Sequence, residues 1–385
     1  MESAYNTTAH GSKAVELQGT SVLQFEPVRA AFERHFEEYD EVGASVGVTF
    51  RGETVVDLWG GWCDAGKTRP WQRDSVACQW AVGKSVNAMC FGMLIHRGLA
   101  SYDDEVRRYW PAFAAAGKER VTIAMLLAHQ TGVTGFSTPA VTEDLYAGEV
   151  SALRLAGQAP FWEPGRYAGY HPISVGILAN ALFRRIDGRS IQQFVATELA
   201  RPFDLDVSVG APPDRPGTVA EMITVPGRAP LFPEDTPARR AANNPPFDSA
   251  LANTAVFGAA DLCAVNGYSN GRSMAELYSL FMGDRSDGRV LVSRDVFKRA
   301  TAPRAEGVDV VRGSYLRWTA GFQLNVNGLF GPNPEVVLHT GMGGAFSLAD
   351  PNAGVTLSYV PNRMGNLFDR EPRRLGLVKA LYESL

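Results

Sequence analysis

Strand-like runs lie at the two ends of the chain, and helical periodicity lies between them. Near the N-terminus, Ala44 to Phe50 and Thr54 to Leu58 are strand-like runs separated by Arg51-Gly52, which reads as a hairpin turn. Near the C-terminus, Leu316 to Val326, Glu335 to His339, Ala345 to Ala349 and Val355 to Val360 read as successive strands. A helix precedes the first strands: Val28, Ala31, Phe32, Phe36 and Tyr39 recur at helical spacing over Phe25 to Tyr39. Arg373 to Leu385 reads as a closing helix. The simplest packing pairs the N-terminal hairpin with the C-terminal strands in one antiparallel sheet, covered by the two terminal helices. The expected fold class is therefore α+β.

The middle of the chain predicts helices. Thr122 can cap a short one over Ile123 to Ala128; a longer amphipathic one runs from Ser174 to Ile186 and ends near Gly188. Further helices are expected over Ile191 to Leu199 and Ser273 to Met282. Residues 205–250 are rich in Pro, Arg, Asp and Asn, and irregular segments of that length are usually functional or mobile. The expected organisation is an N-terminal arm over residues 1–20 and one domain over 21–385. That domain divides into a sheet lobe (21–75 and 300–385) and a helical lobe (76–299), and a cleft between lobes is a default site.

Composition narrows the function. The net charge is −4, and no block of like charge runs along the chain, which argues against a nucleic-acid partner. No apolar run reaches the roughly 18 residues needed to cross a bilayer. The N-terminal residues lack a basic stretch followed by an apolar core, so a cytoplasmic location is expected. The four cysteines, Cys63, Cys78, Cys90 and Cys263, show no CxxC spacing, which favours reduced, mostly buried thiols over disulfides or a metal site.

One motif is a decoy. Gly61-Trp-Cys-Asp-Ala-Gly66-Lys67-Thr68 matches the phosphate-binding pattern G-x-x-x-x-G-K-T and follows a strand. A working phosphate loop opens a helix directly after the threonine, so that backbone amides meet the phosphates. Here Arg69-Pro70-Trp71 follows, and proline both removes a donor and restricts the residue before it. A solvent loop is the better reading.

The chemistry gathers elsewhere. Gln79-Trp80-Ala81-Val82-Gly83-Lys84-Ser85 reads as a turn entering a helix, followed by the apolar run Val86 to Ile95. Lys84 stands one turn after Ala81, on the same face. Ser85 points about 100° away around the helix. Tyr170 follows a Pro-Gly turn and precedes a helix, where a phenol can relay a proton. His339-Thr340-Gly341-Met342-Gly343-Gly344 ends one strand and precedes another, and its small residues let a substrate lie along the strand edge. Taken singly, each has an ordinary explanation: a solvated lysine, a packed tyrosine, a satisfied histidine.

Taken in order and spacing, these segments resemble the serine β-lactamase and penicillin-binding-protein superfamily, in particular the class C-type esterases known as family VIII carboxylesterases. The pattern of that group is S-x-x-K, then Y-x-x, then K-T-G or a variant such as H-T-G. Leu126-Leu-Ala-His129-Gln-Thr-Gly132 is similar to the family's L-L-x-H-x-x-G. Val56 to Gly61, Thr68 to Trp71, Asn266-Gly267, Trp318 to Gly321 and Leu348 to Pro351 also fit, and the resemblance spans residues 25–385. It implies an acyl-serine hydrolase of small-molecule esters or amides with no metal or cofactor. The implied roles fall on Ala81 as the nucleophile position, Lys84 as base, Tyr170 as general acid or base, and His339. The backbone N–H groups of Ala81 and Met342 would receive the oxyanion, with Gly341, Gly343, Trp80, His171 and Trp318 around the substrate.

Two positions depart from the pattern. Ala81 replaces the serine, so no acyl-enzyme can form and the chain is expected to be nearly inactive. The intact Lys84, Tyr170 and His339 favour a serine deliberately exchanged for alanine to hold a substrate unreacted; a natural pseudoenzyme is the rival. His339 replaces lysine, and a neutral imidazole holds a substrate carboxylate less firmly than an ammonium, which favours esters or amides lacking that carboxylate. Acyl transfer to an alcohol or amine is the alternative activity.

Overall fold

Nine strands form one antiparallel sheet in a computed structural model that describes residues 15–224, 230–365 and 370–385. The strands are β1 (Gln18–Ser21), β2 (Gly43–Phe50), β3 (Glu53–Gly61), then β4 (Ala77–Cys78), β5 (Val207–Val209) and β6 (Gly267–Ser269), which form a separate small sheet, and β7 (Ala305–Val308), β8 (Tyr315–Trp318), β9 (Gln323–Leu324), β10 (Val337–Thr340), β11 (Phe346–Asp350) and β12 (Val355–Pro361). The large sheet runs β1-β3-β2-β12-β11-β10-β9-β8-β7, so the N-terminal hairpin joins the C-terminal strands through β2 and β12. Its turn is the expected one. Phe50 pairs with Glu53, and Arg51 and Gly52 take φ of 51° and 84°, the two left-handed residues a two-residue turn with the strands' own twist demands.

The sheet's two faces carry different chemistry because strand side chains alternate. On one, Val46, Val48, Leu348, Val355, Leu357 and Tyr359 pack under the helices Glu26–Glu38 and Pro372–Glu383. On the other, small polar residues meet the helix Gly271–Phe281. Gly271 N donates to Ser45 Oγ at 2.9 Å, and Thr356 Oγ1 donates to Ala275 O at 2.9 Å. Gly47 lets that helix sit close, since a Cβ there would stand 2.5 Å from Gly271 O. This helix thus joins the middle segment to the sheet.

In the middle segment, the helix Gly83–His96 is buried from its first residue to Ile95, and Ser174–Asp187 packs beside it and ends at left-handed Gly188. Thr122 caps Ile123–Leu127 by accepting from Met125 N. The helix begun at Ile191 continues to Phe203.

The structure differs from expectation at several places. The end of the expected arm, from Gln18, joins Ser21 in the edge strand β1; residues 1–14 of that arm lie outside the described residues. The expected strand over Leu316 to Val326 splits into β8 and β9 at Thr319-Ala320-Gly321. There Gly321 takes φ 101°, and a Cβ on it would stand 2.5 Å from Ala88 Cβ, so the chain turns where it meets the buried helix. The helix Arg294–Thr301, the strand β7 and the small sheet are additional. The phosphate-loop lookalike is an exposed loop. Asp64 accepts from the Thr68 and Arg69 backbone amides at 2.9 and 2.8 Å, occupying the donors a phosphate would need. All four cysteines are buried free thiols. Among the described residues, no helix is long and apolar enough to cross a membrane.

Candidate active site

The site forms where the start of the helix Gly83–His96 meets the loop after β10. Gly341 has no room for a side chain: a Cβ would stand 2.3 Å from Gln79 O, so the two backbones touch. Trp80 takes a φ of 53°, an uncommon conformation for a non-glycine residue, and turns the chain just before Ala81. Ala81 and Met342 both line a cavity of about 270 Å³. Among the described residues, neither of their backbone N–H groups donates to a protein acceptor.

Lys84 lies behind that wall, 3% exposed. Its Nζ donates to Pro172 O at 2.8 Å and Ala264 O at 2.9 Å and stands 4.9 Å from the Tyr170 ring centroid. Burial pulls its pKa down from 10.5 to about 7, against a small opposing pull from Cys263. A neutral amine has two N–H bonds and one lone pair. Both N–H bonds have carbonyl acceptors here, which leaves the lone pair for another partner.

Tyr170 lines the cavity and is held on all sides. Its ring stacks on Trp318 at 5.8 Å and 7°, with His129 and Phe232 edge-on at 5.0 and 6.1 Å. Burial raises its phenol pKa, so it remains protonated near neutrality. His339 is buried beside Trp318, their ring centroids 6.3 Å apart. Its Nδ1 pairs with Thr340 O at 3.0 Å, while its Nε2 has no hydrogen-bond partner among the described residues. Burial, reinforced by Lys84, lowers its pKa to about 3, so the imidazole is neutral. The next residue, Thr340, lines the cavity.

The other residues singled out from sequence separate. Trp80 lines the cavity. Gly341 and Gly343 shape the loop, Gly343 with φ 84°. His171 and Trp318 were expected around the substrate, and neither lines the cavity. His171 turns away, its Nε2 pairing with Thr131 Oγ1 at 2.7 Å and its backbone N donating to His129 Nδ1 at 3.1 Å. Trp318 is the plate behind Tyr170, and its Nε1 donates to Asp309 Oδ2 at 3.0 Å. Ser85 Oγ donates to Val82 O at 2.6 Å, so it is spent inside the helix.

Asp309 is a residue the sequence reading missed. Its buried Oδ1 accepts from the backbone N of Tyr170, Val311 and Arg312 at 3.0, 3.0 and 2.8 Å. One carboxylate thus fixes both the backbone of Tyr170 and the indole on which its ring rests. An acid inside the apolar run Val308-Asp309-Val310-Val311 was the available signal. The rest of the wall comes from the irregular segment, through Leu231, Phe232, Glu234, Asn243 and Phe247. Among the described residues, no group of His, Cys, Asp and Glu is arranged to hold a metal ion.

The Beta-lactamase family profile matches residues 28–381. The chain belongs to the beta-lactamase family. Within that family it is 31% identical to the esterase/beta-lactamase LipL of Mycobacterium tuberculosis, over 90% of this chain and 83% of that protein. A crystal structure of a family VIII carboxylesterase superposes with a TM-score of 0.90 at 37% identity, covering 96% of this chain and 100% of the other. A penicillin-binding-protein homologue from Caulobacter crescentus does so at 0.89 and 34%, with the same coverage. The beta-lactamase fold accounts for the α+β architecture described above.

Proposed function

We propose that this scaffold is a carboxylesterase-type hydrolase working through an acyl-serine, and that the chain as it stands, with Ala81, is nearly inactive. The observation that carries this reading is Lys84: an amine near neutrality, both N–H bonds spent on carbonyls, one helical turn from Ala81. With a hydroxyl at position 81, the Lys84 lone pair would take its proton as the oxygen attacks the ester carbonyl carbon. The oxyanion would be received by the N–H groups of Ala81 and Met342. Tyr170 would pass a proton to the leaving alkoxide, and water attacking by the reverse route would free the acid.

The substrate class follows from the wall. Trp80, Ile173, Leu231, Phe232, Phe247 and Val265 make it largely apolar, a neutral His339 supplies no ammonium, and the charged residues of the lining, Arg312 and Glu234, are of opposite sign. Uncharged esters of small apolar acids fit this better than anionic β-lactams. Four free thiols suit a reducing compartment, and we place the protein in the cytoplasm. The test is hydrolysis of p-nitrophenyl esters by the Ala81→Ser variant. The reading expects turnover at least about 10³-fold above the unchanged chain. A folded variant with no turnover contradicts it.

A further inference from the structure

The loop that carries Met342 is held from behind by two consecutive arginines of the C-terminal helix. Arg373 Nη2 donates to Gly343 O at 3.0 Å, and Gly365 N donates to the same oxygen at 2.7 Å. Arg374 Nη2 reaches Gly341 O at 3.4 Å and Ala345 O at 3.5 Å. Both side chains are fully buried, and such arginines are costly unless their charge is compensated. Arg373 is compensated thoroughly. Its Nη1 donates to both Glu41 oxygens at 3.0 and 3.1 Å, and its Nε to Glu371 Oε1 at 2.8 Å. Tyr359 donates to Glu41 from β12, which pins that carboxylate in turn.

This anchoring has a directional consequence. A trans peptide is planar, with its C=O and N–H pointing opposite ways. The Gly341 carbonyl points at Arg374, toward the C-terminal helix. The N–H of the same peptide belongs to Met342, so it points away from that helix, and Met342 lines the cavity. Gly343 and Gly344 take φ of 84° and 121°, and within the loop Gly341 N donates to Ala345 O at 2.7 Å and Gly344 N to Gly341 O at 3.4 Å. The two arginines add donors to the loop's carbonyls from outside it.

We infer that Arg373 and Arg374 are positioning residues that aim the Met342 N–H at the developing oxyanion, through the carbonyls of Gly343 and Gly341. The inference rests on the acyl-serine reading above. Neither arginine touches the substrate; each acts through the loop backbone.

Steady-state kinetics in the Ala81→Ser background test it with two variants. Arg373→Lys keeps a positive charge beside Glu41 and Glu371 but lacks the second nitrogen arm that reaches Gly343 O. Arg374→Met removes the guanidinium donor on Gly341 O and Ala345 O at similar length and leaves the backbone donors Gly344 N and Gly341 N in place. Each variant is expected to lose about 10-fold in kcat with KM within about two-fold, since the loss falls on transition-state stabilisation alone. A boronic-acid transition-state analogue should weaken in parallel, while the product acid should bind as before. Should Arg373→Lys not fold, the triple change Glu41→Gln, Glu371→Gln and Arg373→Met removes the three buried charges together and carries the same expectation. An arginine with a merely structural role would lower the melting temperature without the kcat–KM split. An active Ala81→Ser parent whose folded arginine variants keep kcat overturns the inference alone. An inactive parent overturns the hydrolase reading and this inference with it.

Discussion

Two buried polar clusters lie in this molecule, and they are compensated in opposite ways. Beneath the sheet, Glu41, Arg373, Glu371 and Tyr359 pair donor with acceptor, and the cations face carboxylates. At the head of the cavity, Lys84 is as deeply buried but, among the described residues, donates to neutral carbonyls alone, and His339 Nε2 has no hydrogen-bond partner there. The first arrangement holds Arg373 in its charged form; the second pushes Lys84 toward the neutral amine and His339 toward the neutral imidazole. A buried cation with carboxylate partners keeps its charge and can hold a backbone in place. A buried amine without one is stored reactivity, held at a cost in stability that the rest of the fold offsets.

The comparison breaks first at Lys84. In the Ala81→Ser background, Lys84→Met should lower kcat about 10³-fold. The rate before that change should rise with pH through about 7, as Lys84 sheds its proton. The same substitution should stabilise the protein, and the sign with pH is fixed. Folded Lys84 titrates near 7 and unfolded lysine near 10.5, so between these values the unfolded chain binds the extra proton. The unsubstituted chain therefore gains stability as pH rises through that window. The melting-temperature advantage of Lys84→Met should be largest below pH 7 and shrink toward pH 10.

Next in size is Tyr170→Phe, which keeps the stack on Trp318 and removes only the proton relay. It should cost about 10²-fold in kcat with the fold intact, as read by kinetics beside a thermal melt. The smallest catalytic effect belongs to the paired cluster. Glu41→Gln leaves Arg373 short of a carboxylate and should cost about 3 kcal/mol in denaturant unfolding. Its kcat in the Ala81→Ser background should stay within about 10-fold. Equal losses of stability and activity at both clusters would erase the distinction between them.

Local chemistry made much of this readable in advance. The Arg51-Gly52 turn, the Thr122 cap and the Gly188 helix stop are each decided by a few adjacent residues, and all appear where the pattern predicts. The sheet follows once the terminal strands have only each other to pair with. The site was legible at Ala81, Lys84, Tyr170 and Met342 because motif spacing and helix geometry bring them together. It was not legible at His171, whose direction is set by Thr131 far along the chain, nor at Asp309, whose partners lie on three separate stretches. The cavity wall from Leu231 to Phe247 was equally hidden, since its shape depends on packing rather than on any period.

The most direct test of the central claim is the mass of the protein after brief exposure to a p-nitrophenyl ester and acid quench. The Ala81→Ser variant should gain the mass of one acyl group, mapped to the peptide containing position 81, and the gain should vanish when Lys84→Met is added. Turnover with no adduct at that position, or an adduct that survives loss of Lys84, would contradict the account.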